Sequence, residues 1–95
     1  MSISDIKKRI TPILERNGVE KAAIFGSAAK GTAKRDSDVD ILVKFKRNDK
    51  SLLDLSGLKI ELEEKLNKKV DILTYDSLHP LLKDIILNSQ KVILW

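Results

Sequence analysis

The stretch IFGSAAKGTAKRDSDVDILVKF, Ile24 to Phe45, decides how the rest of this 95-residue chain is read. Its start, Ile24-Phe25, is apolar and runs into Gly26-Ser27, so it reads as the end of a strand delivered into a small-residue turn. A strand that passes through a glycine turn into a helix start presents unpaired backbone N–H groups and a positive dipole end, which suit a phosphate. Ala28, Ala29 and Lys30 extend the turn into one or two helical turns, and Thr32 to Ser37 is a polar loop. From Asp38 the pattern alternates. Asp38, Asp40, Leu42 and Lys44 share one face of a second strand, and Val39, Ile41, Val43 and Phe45 share the other.

Asp38 and Asp40 lie two apart on that strand, so their Cα atoms are expected about 6.5 Å apart with both carboxylates on one face. Like charges so placed repel, and the pair is relieved by raising one pKa or by binding a cation. Oxygen-only ligands point to Mg²⁺ or Mn²⁺ rather than zinc. Phosphate and metal together suggest a nucleotide.

Working back toward the N-terminus, Ile3, Ile6, Ile10, Ile13 and Leu14 mark one face of a helix over residues 3 to 17, capped by Ser2 or Ser4. Pro12 is expected to break or kink it, with Thr11 capping a second piece. Asn17-Gly18 supplies a left-handed stop, and Val19 to Phe25 follows as a buried strand. Working forward, Lys46 to Lys50 is a basic turn. Ser51 and Asp54 resemble a capping pair, and Leu52, Leu55, Leu58, Leu62 and Leu66 form the apolar stripe of a helix, with Glu61–Lys65 and Glu64–Lys68 as supporting pairs.

Asn67 caps that helix, and Lys69 to Tyr75 is a third strand in which Asp71 has the parity to complete a three-carboxylate set. His79-Pro80 opens a last helix through Asn88 with Leu81, Leu82, Ile85 and Ile86 as its core face. Lys91 to Trp95 closes the chain as an apolar tail or edge strand. Strands alternating with helices call for an α/β (α+β) layer structure, a small mixed sheet of three or four strands covered by helices, in one domain spanning 1–95.

Composition narrows the function. Eighteen basic and fourteen acidic residues leave a net charge of +4, a mild excess that favours an anionic ligand. Four aromatics, Phe25, Phe45, Tyr75 and Trp95, are too few for a base-stacking platform, which argues against a direct nucleic-acid-binding surface. No apolar run reaches the roughly 18 residues of a membrane span, and no leader pattern opens the chain. Without cysteine there is no disulfide framework or thiolate metal site, so a cytoplasmic location is the expectation. His79, the one histidine, has no partner motif and reads as a cap or surface residue.

A D-x-D pair alone is usually a solvated loop feature, and a Gly-Ser after a strand is common. Their joint spacing is not: ten residues separate Ser27 from Asp38. The pattern G-S-x10-D-x-D, with the later V-D-I strand, resembles the signature of the polymerase-β-like nucleotidyltransferase superfamily. The length matches its minimal stand-alone members, the MNT-type domains that pair with HEPN proteins.

The resemblance implies that Gly26 and Ser27 hold the triphosphate of ATP with help from Lys30. It further implies that Asp38 and Asp40 bridge two Mg²⁺ ions, and that Asp71 binds the catalytic metal and takes the proton of the attacking hydroxyl. It also implies an antitoxin that transfers AMP from ATP to a tyrosine of a partner HEPN ribonuclease toxin. Where such members commonly carry G-S-[RY]-A-R-G, this chain has Ala28 and Lys30, and Lys lacks the two-pronged phosphate grip of Arg. Lys34 or Arg35 is placed to compensate.

Two alternatives stay open: a non-catalytic nucleotide-binding antitoxin acting by occlusion, and a nucleotidyltransferase for a small molecule or an RNA end. The acceptor, the base preference and homo-oligomer formation are not legible in the residues. All catalytic readings require Asp71 to face Asp38 and Asp40.

Overall fold

A computed structural model describes residues 2–26, 38–47 and 51–94. Helix α1 spans Ile3–Arg16, strand β1 Val19–Phe25, strand β2 Val39–Phe45, helix α2 Leu52–Leu66 and strand β3 Val70–Thr74. A single 3₁₀ turn, Tyr75–Ser77, leads to helix α3, Pro80–Ser89, and strand β4, Lys91–Leu94. The strands form one mixed sheet in the order β3-β2-β1-β4: β1 is antiparallel to both β2 and β4, and β2 is parallel to β3.

Helix α1 starts on a reciprocal cap, in which Asp5 N–H donates to the Ser2 hydroxyl and Ser2 N–H donates to the Asp5 carboxylate. Contrary to the expected break, the helix runs unbroken through Pro12. Ile6, Ile10 and Leu14 are its buried positions, and Pro12 is exposed, so the carbonyl left without an N–H partner can turn to water. Thr11 opens no second helix; its hydroxyl donates to the Lys7 carbonyl at 2.6 Å. The chain leaves α1 through Asn17 and the left-handed Gly18, φ 76°.

Helix α2 keeps the expected start and stop. Ser51 N–H donates to Asp54 at 2.8 Å, and Asn67 takes the left-handed conformation at φ 54°. Its stripe is shorter than the leucine pattern implied: Leu58, Leu62 and Leu66 are buried and Leu55 packs at the margin, whereas Leu52 lies exposed. Periodicity at the first turn of a helix carries no guarantee of a neighbour. Glu61 also has a different role from an intrahelical pair alone, since it accepts from Arg16 and from the Asn17 amide and so ties α2 to the end of α1.

Helices α1 and α2 pack together over one face of the sheet. Their leucines and isoleucines meet Val19, Ala22, Ile24, Val39, Ile41, Val43, Val70 and Ile93 in a single core, where each fully buried Ile or Leu contributes roughly 2 kcal/mol. Two links are parallel crossovers, β2-α2-β3 and β3-α3-β4, and they step across the sheet in opposite directions. The right-handedness of such crossovers puts α3 on the face opposite α2. That is the face carrying Asp40, Leu42 and Asp71.

Helix α3 departs most from expectation. It has no buried residue, and Leu81 and Ile85, expected in the core, are 79% and 64% exposed. Its own periodicity is genuine, but only Ile86, Leu87 and Ser89 of the helix are even half-buried, so the stripe finds little to pack against. Tyr75, expected as the last residue of β3, opens the 3₁₀ turn instead, where its hydroxyl donates to Gln90 at 2.7 Å.

Candidate active site

Three elements converge at one end of the sheet. Strand β1 ends at Phe25 and passes into Gly26, which has φ 70°, a conformation that costs a side-chain-bearing residue strain and glycine nothing. Strand β2 begins beside it, with Phe25 paired to Asp40. Strand β3 begins on the other side of β2, and its parallel register sets Asp40 directly against Asp71. Adjacent strands lie about 4.8 Å apart, so the two aspartates are neighbours on one face. Val39 N–H donates to the Lys69 carbonyl at 2.9 Å and fixes that register at its first rung.

The requirement on Asp71 is thus met for Asp40 by strand pairing alone. Asp38 lies just before β2 and is exposed, as is Asp71, whereas Asp40 between them is half-buried. Burial first, and then the charges of Asp71 and Asp38, push the Asp40 carboxyl above the usual carboxylate range. A carboxylate destabilised in this way by its own neighbours is one that a cation would relieve.

The donor set is oxygen only, which fits Mg²⁺ or Mn²⁺. Among the described residues no three His, Cys, Asp or Glu side chains converge into a cluster able to hold a metal ion by themselves. Magnesium is commonly held by one or two carboxylates, with substrate phosphates and water completing its shell, so a site built on the Asp40–Asp71 pair is chemically consistent with that ion. Ser27 and Lys30, read from sequence as phosphate ligands, and Lys34 and Arg35 lie outside the described residues.

His79 caps α3, its Nδ1 accepting from Leu81 N–H at 3.1 Å, in keeping with a capping role. A separate cleft of about 660 Å³ opens around Lys21, Lys44, Lys46, Glu15 and Glu20, and none of the three aspartates lines it. Two contacts went unread in the sequence, the seat of Asp40 against Gly26 and the Lys21 ammonium 4.6 Å over the Tyr75 ring. Both depend on strand pairing and leave no local pattern.

The chain matches the profile of the family "Polymerase beta, Nucleotidyltransferase" over residues 8–95. It is 60% identical over 89 residues to "Putative protein adenylyltransferase MJ0435" of Methanocaldococcus jannaschii, covering 94% of this chain and 95% of that protein. Among solved structures, a "putative minimal nucleotidyltransferase" superposes with a TM-score of 0.81 at 33% identity, covering 100% of this chain and 97% of its own. A toxin–antitoxin structure with AMP-PNP superposes equally well, TM-score 0.81 at 25% identity, covering 94% of this chain and 72% of the other.

Proposed function

Because this chain belongs to the polymerase β nucleotidyltransferase family, we propose that it is a magnesium-dependent protein adenylyltransferase. Its proposed role is that of a cytoplasmic antitoxin, moving AMP from ATP to a tyrosine hydroxyl of a HEPN-type partner. The observation that carries the reading is the in-register pairing of Asp40 with Asp71 beside the Gly26 turn. The name of the Methanocaldococcus relative supports protein as the acceptor class, and the AMP-PNP complex supports an adenosine triphosphate substrate.

In this reading Gly26 and Ser27 receive the triphosphate at the turn, and Lys30 adds positive charge. Asp38, Asp40 and Asp71 would hold two Mg²⁺ ions, which when bound neutralise the phosphate charge that otherwise repels both carboxylates and nucleophile. Asp71 is exposed at the sheet edge, where an incoming hydroxyl can reach it, and accepts the proton as the oxygen attacks the α-phosphorus. The bond to the bridging oxygen of the β-phosphate breaks, pyrophosphate leaves, and AMP stays on the acceptor.

Purified protein incubated with Mg-ATP and a HEPN partner is expected to raise the partner's mass by whole AMP units. Asp40→Asn is expected to abolish the increase while the variant still folds. No mass change with the wild-type protein, or equal transfer by the variant, would sink the proposal.

A further inference from the structure

We infer that Gly26 is a positioning residue for Asp40, its missing side chain being the space in which the Asp40 carboxylate sits. An ideal Cβ built on Gly26 would lie 2.4 Å from Asp40 Oδ2, closer than real Cβ atoms approach any atom. It would lie 3.3 Å from Cγ and 3.6 Å from Cβ of Asp40. Only the carboxylate end is therefore blocked, and the β2 backbone is left alone. The cheapest response to a methyl group at 26 is rotation of the Asp40 side chain away from the turn, which moves its oxygens off the place they hold without unpairing the strands.

A glycine in a phosphate-binding turn is ordinarily explained by close backbone approach to the phosphate. Here the approach that the structure shows is to a carboxylate. Gly57, in the middle of α2, has nothing within 4 Å of its built Cβ and provides an internal contrast. The inference rests on the reading of Asp40 as a cation ligand, and it makes the turn and the carboxylate one unit: the residue that follows β1 sets the aim of the residue that β2 supplies.

The test uses Mn²⁺ alone with nucleotide-free protein, so that no phosphate is present for Gly26 to touch. Gly26→Ala is expected to weaken Mn²⁺ binding by about tenfold or more, the range seen when a residue that orients a metal ligand is removed, whereas Gly57→Ala leaves it unchanged. A crystal structure of the metal-free Gly26→Ala protein is expected to show β2 in place and the Asp40 carboxylate turned away. Unchanged Mn²⁺ affinity, or an unmoved carboxylate with a displaced turn backbone, overturns the inference.

If the wild type binds no Mn²⁺, the cation reading fails by itself, and the crystal structure still decides the seat. Alanine at φ 70° is strained regardless of its neighbours, so Gly26→Ala has a partner experiment in Gly26→Ala/Asp40→Ala. Should the single variant fail to fold, recovery of folding in the double variant supports the steric seat, and failure to recover overturns it.

Discussion

Three effects oppose the charge of Asp40: partial burial, then Asp71 across the strand pair and Asp38 two residues earlier. The folded pKa of Asp40 lies above the unfolded value, so the folded state binds more protons in the interval between the two. Stability from this group is greatest below the unfolded pKa and is lost as pH rises through the raised folded value. Asp40→Asn removes the charge at constant shape, and we expect the metal-free variant to melt higher than wild type at pH 7. The stabilisation that Mg-ATP gives the wild type should disappear, and thermal-shift titration reads both effects.

Asp5 runs the other way. Its hydrogen bond from the Ser2 backbone depresses its pKa, so the α1 cap is present above the unfolded carboxylate pKa and lost as pH falls through the depressed one. Asp5→Asn should flatten the acid limb of the stability profile in that window, measured by circular dichroism melts. At this scale the parity that puts Asp40 and Asp71 on one face of neighbouring strands was legible in the sequence. The sequence was silent on the environment that separates half-buried Asp40 from exposed Asp38, because exposure is decided by how far each strand extends past its neighbour.

Among the elements, α1 shows how far packing overrides local preference. Pro12 sits on the exposed side of a helix whose other side buries Ile6, Ile10 and Leu14. Pro12→Ala restores an N–H for the preceding turn without touching the core. We expect a gain of about 2 kcal/mol, less than the full propensity difference because proline also restricts the unfolded chain. Urea denaturation of the two proteins checks it.

Helices α2 and α3 read alike in sequence and end differently. Leu62 is fully buried, and Leu62→Ala should cost about 3 kcal/mol, whereas Ile85→Ala on α3 should cost under about 1 kcal/mol, both read from denaturant midpoints. If the two substitutions cost the same, α3 is more deeply seated than its exposure indicates. Apolar spacing identified the helices, but which stripe finds a partner is decided by the tertiary arrangement, which the spacing does not carry.

At the scale of the whole molecule the order of the described elements was legible, and so was a mixed sheet, while the short helix expected from Ser27 lies outside the described residues. The β3-β2-β1-β4 order was not: nothing in Lys91 to Leu94 says that it pairs with β1 rather than β3. The described residues contain no helix long and apolar enough to cross a membrane. With its buried contacts concentrated between the sheet and the α1–α2 layer, the molecule should open unevenly. Amide hydrogen exchange is expected to be fastest in α3 and slowest in β1, β2 and the Leu58–Leu66 half of α2. Equal protection of α3 and α2 would contradict that ranking.

The parallel register of β2 and β3 has a consequence in time as well as in space. A chain emerging from synthesis carries Gly26 and Asp40 well before Asp71 exists, and the two aspartates meet only after α2 has crossed over and β3 has zipped against β2. Half-finished or mis-threaded chains therefore hold the carboxylates apart. On the proposed mechanism, chemical competence becomes a proofreading mark: the activity would switch on only in molecules whose parallel β2–β3 pairing is complete.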